Sequence, residues 1–139
     1  MNPWPRWTDL LPAVCIFGLV WYGSSIPAEQ MPDSGLLAFD KLLHIGEYTV
    51  VGAGLLWTVR RSPTFANGVA RFCFVLAAGL VWAILDEIHQ GFVGRDSSMY
   101  DLLADCLGLS GIALASGLGW LKKIPGFERL WKAGTDKAA

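Results

Sequence analysis

Four apolar stretches, roughly residues 8–26, 40–59, 71–91 and 101–120, alternate with short polar segments marked by Gly and Pro. At a rise of ~1.5 Å per residue, a run of about 20 residues crosses one hydrocarbon core, so each stretch predicts a transmembrane helix. Pro3 and Pro5 keep the start extended, and Pro12 is expected in the first turn of helix 1. Ser24, Ser25 and Pro27 end that helix. Helix 2 stops at Arg60, Arg61 and Pro63, Gly91 and Gly94 bracket the loop after helix 3, and Pro125-Gly126 breaks the chain after helix 4. The pattern predicts an all-α four-helix transmembrane bundle forming a single domain over residues 1–139. Phe127, Leu130 and Trp131 recur at helical spacing beside Arg129 and Lys132. That segment reads as a short interfacial helix or as a frayed tail.

Charge adds an orientation. Arg6, Arg60, Arg61, Arg71, Lys122, Lys123, Arg129, Lys132 and Lys137 fall on one side of the predicted membrane; only Lys41 and Arg95 fall on the other. The asymmetry predicts cytoplasmic N and C termini. Of the acids, only Asp9, Glu128 and Asp136 lie on the basic side. Composition alone, 53% hydrophobic and 17% charged, permits a soluble chain; the confinement of charge between the apolar runs decides the class. Trp4, Trp7, Trp21, Tyr22, Trp57, Tyr100, Trp120 and Trp131 sit near run ends, where amphipathic rings favour the headgroup layer. A cleaved signal peptide ending at Gly23-Ser24-Ser25 is the weaker reading of run 1, because the run is long and closes on bulky Trp21 and Tyr22. The expected location is the inner (plasma) membrane, multi-pass, with membrane lipids as partners. No extended basic surface supports nucleic-acid binding. Cys15, Cys73 and Cys106 form no CxxC pair and read as small core residues.

The informative residues are those that are expensive in lipid. On helix 2, Asp40, His44 and Glu47 fall within about 60° of arc, beside Lys41. Glu47 lies roughly 10 Å below Asp40 by the helical rise and is expected to face the bundle interior. On helix 3, Asp86 and Gln90 share a face, as do Glu87 and Gln90, with His89 near the membrane surface. Arg95, Asp96, Ser97 and Ser98 follow, and Asp101, Asp105 and Gly108 make a stripe on helix 4. These stripes sit at comparable depth and are expected to turn toward one another. Arg95 is the expected counter-ion. Asp101 or Ser98 is expected to cap helix 4, and Asp40 is a candidate cap for helix 2.

Asp40-Lys41-x-x-His44-x-x-x-Tyr48, then Asp86-Glu87-x-x-Gln90, Arg95, Ser98, Asp101, Asp105 and Gly108, in this order and on this topology, resemble the VanZ-like family of small bacterial membrane proteins. The resemblance covers about residues 10–120. It implies a link to glycopeptide-antibiotic resistance, notably to teicoplanin, and names no reaction. The family's pattern often has Asn where Asp105 stands, so a role needing an amide donor does not carry over.

Three functions compete, with a pure assembly or scaffold role as the remaining alternative. The first is binding of an amphiphile, such as a lipid-linked envelope precursor or a lipoglycopeptide, at an outer-leaflet polar cleft. The second is an enzyme acting on a lipid headgroup. Paired carboxylates near a His suit acid–base work, and His44, Glu47, Asp86, Glu87 and Asp105 offer hard donors for a divalent ion. No HExxH or other established metal spacing occurs, so neither metal nor cofactor is expected, and no catalytic residue is assigned. The third is an ion-coupled transporter, for which four helices without broken repeats are few.

Overall fold

Four α-helices make up most of the chain: α1 (Trp7–Ser24), α2 (Leu37–Val59), α3 (Gly68–Phe92) and α4 (Met99–Gly117). The structure is a computed structural model and describes residues 5–30, 37–60, 62–95 and 97–123. Short 3-10 turns cover Ala28–Gln30, Pro63–Phe65 and Trp120–Lys123. The segment 127–133, expected as an interfacial helix or a tail, lies outside the described residues.

The all-helical bundle agrees with the sequence reading. Three helices are long and apolar enough to cross a membrane: Asp40–Val59 within α2, Gly68–Phe92 and Met99–Gly117. Helix α1 is the shortest of the four, at 18 residues, and carries Asp9 and Pro12. Because α1 begins at Trp7, Pro12 falls in its second turn rather than its first. The surface is inverted relative to a water-soluble domain. Leu42, Val50, Val81, Ile88 and Leu107 are exposed, while the acids of α3 and α4 are buried. Large apolar side chains turned outward are what a lipid solvent allows. Cys15 and Cys73 belong to that outer surface, not to the core, and Cys106 is half-buried.

Local chemistry sets the helix starts. Asn67 caps α3 by accepting a hydrogen bond from the Ala70 amide at 2.6 Å. Ser98 caps α4 by accepting one from Tyr100 at 3.1 Å. Asp40 does not cap α2, because that helix already begins at Leu37 and Asp40 sits in its first turn. At the end of α3, Gly94 adopts φ +78° and the Arg95 amide donates to Gln90 O at 3.0 Å. This is the Schellman stop, which glycine adopts without strain. It fixes Arg95 directly above α3.

Helix α2 is the hub. It packs most extensively on α4, then on α1 and α3, while α3 also packs along α4. Tyr48, Val51, Leu55, Val75, Ala83 and Leu109 form the apolar core. Where α2 crosses α4, Gly108 lies against backbone: a Cβ there would stand 2.5 Å from Ile45 O and 2.9 Å from Thr49 N. The missing side chain is what lets the two helices come this close.

Successive helices run in opposite directions. One end of the bundle therefore collects the C-termini of α1 and α3 and the N-termini of α2 and α4. The other end holds an ion pair that the sequence hid by placing Arg60 among the loop charges. Arg60 Nη2 lies 2.9 Å from Asp9 Oδ1, and both side chains are buried. The guanidinium also lies over the Trp57 ring, 3.5 Å from its centroid. Thr58 Oγ1 donates to Asp9 O at 3.1 Å and so ties α2 to the start of α1.

Candidate functional site

The polar end brings together residues from all four helices. His44 projects from α2 toward α4, with Nδ1 2.9 Å from Asp105 Oδ1 and Nε2 3.7 Å from Asp101 Oδ1. One turn above, Lys41 pairs with Asp40 at 2.9 Å and with Asp101. The i, i+4 stripe of Asp101 and Asp105 thus faces the i, i+3 stripe of Lys41 and His44.

Helix α3 contributes Asp86, Glu87 and Gln90, all buried. Asp86 Oδ2 accepts from Ser24 Oγ of α1 at 2.8 Å and from Gln90 Nε2 at 3.0 Å. Glu87 Oε2 accepts from Ser97 Oγ and from the Ser98 amide, each at 2.9 Å. Ser98 therefore has two tasks: its hydroxyl caps α4 and its amide anchors the α3 carboxylate. One nitrogen of His44 and one oxygen each of Glu87 and Asp105 lie within 4.8 Å of one another; Asp40, His44 and Asp101 form a second such group.

Some expectations fail. Glu47 does not turn into the cluster. It is exposed, and no hydrogen bond or ion pair reaches it among the described residues. It lines a groove of about 520 Å³ between α1 and α2, with Ile16, Leu19, Val20, Leu42, Leu43, Gly46 and Val50. The reason is angular: His44 and Tyr48, at i, i+4, occupy the face toward α4, which leaves Glu47 on the flank toward α1. Nor is Arg95 the contact counter-ion of the acids; Lys41 is. Arg95 has no side-chain ion pair among the described residues. Asp96 lies outside the described residues.

Sequence reasoning gave several participants no role in the site. Tyr48, which entered only as part of the family pattern, is fully buried, and its hydroxyl has no hydrogen-bond partner among the described residues. Ser24 and Ser25 read as a helix stop or, in the weaker reading, as part of a cleavage site. Ser25 Oγ lies 2.8 Å from His89 Nε2, and His89 stacks on Trp21 at 4.0 Å. Four buried carboxylates, on Asp86, Glu87, Asp101 and Asp105, thus share an interior whose contacting bases are Lys41 and His44.

Below Glu47 the surface continues as a second, almost wholly apolar groove of about 340 Å³, lined by Pro12 and Ile16 of α1, by Thr49, Val50 and Trp57 of α2 and by Ile112 of α4 among others. Ile16 and Val50 line both grooves. The joint surface has a single acid near its upper part and hydrocarbon along the remainder. Comparison with family models, curated proteins and solved structures finds no match for this chain.

Proposed function

We propose that this membrane protein is a VanZ-like component of the bacterial inner membrane that holds an amphiphile with a phosphate or carboxylate on its polar part at the outer leaflet. The amphiphile would be a membrane lipid, a lipid-linked envelope precursor or a lipoglycopeptide. What carries the reading is the groove along α1 and α2, apolar along almost all its length and interrupted by the Glu47 carboxyl, with Arg95 held by the stop after α3 at the same polar end of the bundle. An acyl or isoprenoid chain matches the apolar part. Arg95 offers a planar fork to a phosphate, and Glu47 offers an acceptor to an amine or hydroxyl of the same headgroup. An ionised acid near mid-membrane is unfavourable by on the order of 2.5–3.5 kcal/mol, which marks Glu47 as kept for a ligand rather than for packing.

A membrane enzyme acting on a headgroup is the second reading, favoured by His44 held between Asp101 and Asp105. Against it, His44 is 5% exposed, so a substrate would have to part α2 from α4 to reach the imidazole.

The protein in nanodiscs should retain phospholipid or isoprenoid phosphate through delipidation, read by native mass spectrometry. Arg95→Ala should release it at normal protein abundance and raise susceptibility to a lipoglycopeptide. Arg95→Lys should restore only part, because a point charge lacks the bidentate fork. An Arg95→Ala protein that keeps its lipid and its phenotype sinks the proposal.

The reading needs the polar end outside. Reporter fusions at Phe65 and Ala139 should read cytoplasmic, and fusions near Asp33 and Asp96 external. The reverse result would put the groove mouth in the wrong leaflet.

A further inference from the structure

The geometry points to a divalent transition-metal site. We propose that His44, Glu87 and Asp105 bind one Mn²⁺ or Zn²⁺ ion between α2, α3 and α4. This goes beyond the amphiphile reading and does not rest on it.

Three observations converge. The donor atoms are close: one nitrogen of His44 and one oxygen each of Glu87 and Asp105 fit within 4.8 Å. The residues are almost closed to the surroundings, at 5%, 4% and 1% exposure. The third observation concerns unspent acceptors. Glu87 Oε2 is held by Ser97 and Ser98, but its Oε1 has no partner; Asp105 Oδ1 is held by His44, but its Oδ2 has none. The buried Tyr48 hydroxyl, one turn from His44 on α2, is likewise without a hydrogen bond among the described residues. Buried polar atoms are nearly always satisfied, and unpaired ones cost about 1–3 kcal/mol each or more when charged. A cation coordinated by the free oxygens removes that deficit and offsets the excess of carboxylate.

The support around the donors is what a metal site requires. Ser97 and the Ser98 amide fix the Glu87 carboxylate. His44 has Nδ1 2.9 Å from Asp105 Oδ1, close enough for the ring nitrogen and the carboxylate to share one ion, while Nε2 lies 3.7 Å from Asp101 Oδ1, a charge contact beyond hydrogen-bond reach. One imidazole with two carboxylates suits Mn²⁺ and Zn²⁺ better than Ca²⁺, which prefers all-oxygen sites.

The test uses the full chain, purified in detergent and stripped with chelator, so lipid retention plays no part in the readout. Mn²⁺ avoids capture by the free cysteines. Electron paramagnetic resonance should show one tightly bound Mn²⁺ per chain with nitrogen coupling from an imidazole. His44→Gln should abolish the coupling, and His89→Gln should not. Glu87→Gln, which keeps an oxygen for Ser97 and Ser98, and Asp105→Asn should each weaken binding by roughly 100-fold, while helix content by circular dichroism stays unchanged. Zn²⁺ should displace the Mn²⁺, following its higher place in the affinity order. Fewer than one equivalent of both ions, or binding that survives His44→Gln, overturns the proposal and leaves a protonated hydrogen-bond network as the account of the cluster.

Discussion

Arg60→Ala should lower the stability of the bundle by roughly 3–5 kcal/mol, the range for removing one partner of a buried ion pair. The estimate applies because both side chains are nearly sealed, at 3% and 4% side-chain exposure. The substitution takes away the guanidinium from Asp9 and also its contact over Trp57. Equilibrium unfolding in a graded mixture of denaturing and mild detergents would read the loss. A double-mutant cycle separates the two contributions. Asp9→Leu with Arg60→Met should recover most of the stability, since an apolar pair of similar volume often matches a buried ion pair. If Arg60→Ala unfolds within about 1 kcal/mol of the parent, the pair behaves as a solvated surface bridge, and the tie between α1 and α2 must come from Thr58 and apolar packing.

Gly108→Ala should be nearly as damaging, and for a different reason. The new Cβ would meet the α2 backbone at 2.5 Å and 2.9 Å, so no side-chain rotation relieves the clash and the helices must separate. Overpacking of this kind costs typically ~1–3 kcal/mol, more where backbone must move. The same detergent unfolding would measure it, with Gly111→Ala as the control on the same helix. A Cβ at Gly111 meets nothing within 4 Å, so that variant should be neutral or slightly stabilising. The clash sits directly beneath the His44–Asp105 contact, so Gly108→Ala should also shift the histidine ring resonances in NMR. Equal stability of the two alanine variants would show that α2 and α4 are farther apart than described.

Much of this arrangement is legible in the chain. The four helices follow from run length, and the gathering of Asp86, Glu87, Asp101 and Asp105 at one end follows from alternating direction and equal depth. The His44–Asp105 contact follows from stripes that cannot face lipid. What periodicity cannot resolve is the flank. Asp40, His44 and Glu47 span about 60° on a helical wheel, and a third helix on one side of that arc is enough to divide them. Here α1 takes Glu47 into its groove while α4 takes His44. The Asp9–Arg60 pair was illegible because a basic residue at a run end reads as a topological signal first. The metal-donor triad has no spacing signature for a simpler reason: its three donors come from three helices, and a motif in sequence needs at least two from one.

The separations along the chain also impose an order of assembly. Asp9 and Arg60 are 51 residues apart and both belong to the first helical hairpin, so their clamp can close once α2 is made. His44 must wait for Asp105, another 61 residues from its own position. At synthesis rates of roughly 5–20 residues per second, that wait is on the order of 3–12 s. During it, Lys41, His44 and Glu47 stand in a nascent helix without Asp101 or Asp105, a poor occupant for open bilayer. The hairpin is therefore expected to linger beside the insertion machinery, closed at the basic end and open at the polar end. Release into lipid would come only when α4 brings its two aspartates, making the last helix the step that commits the whole protein to the membrane.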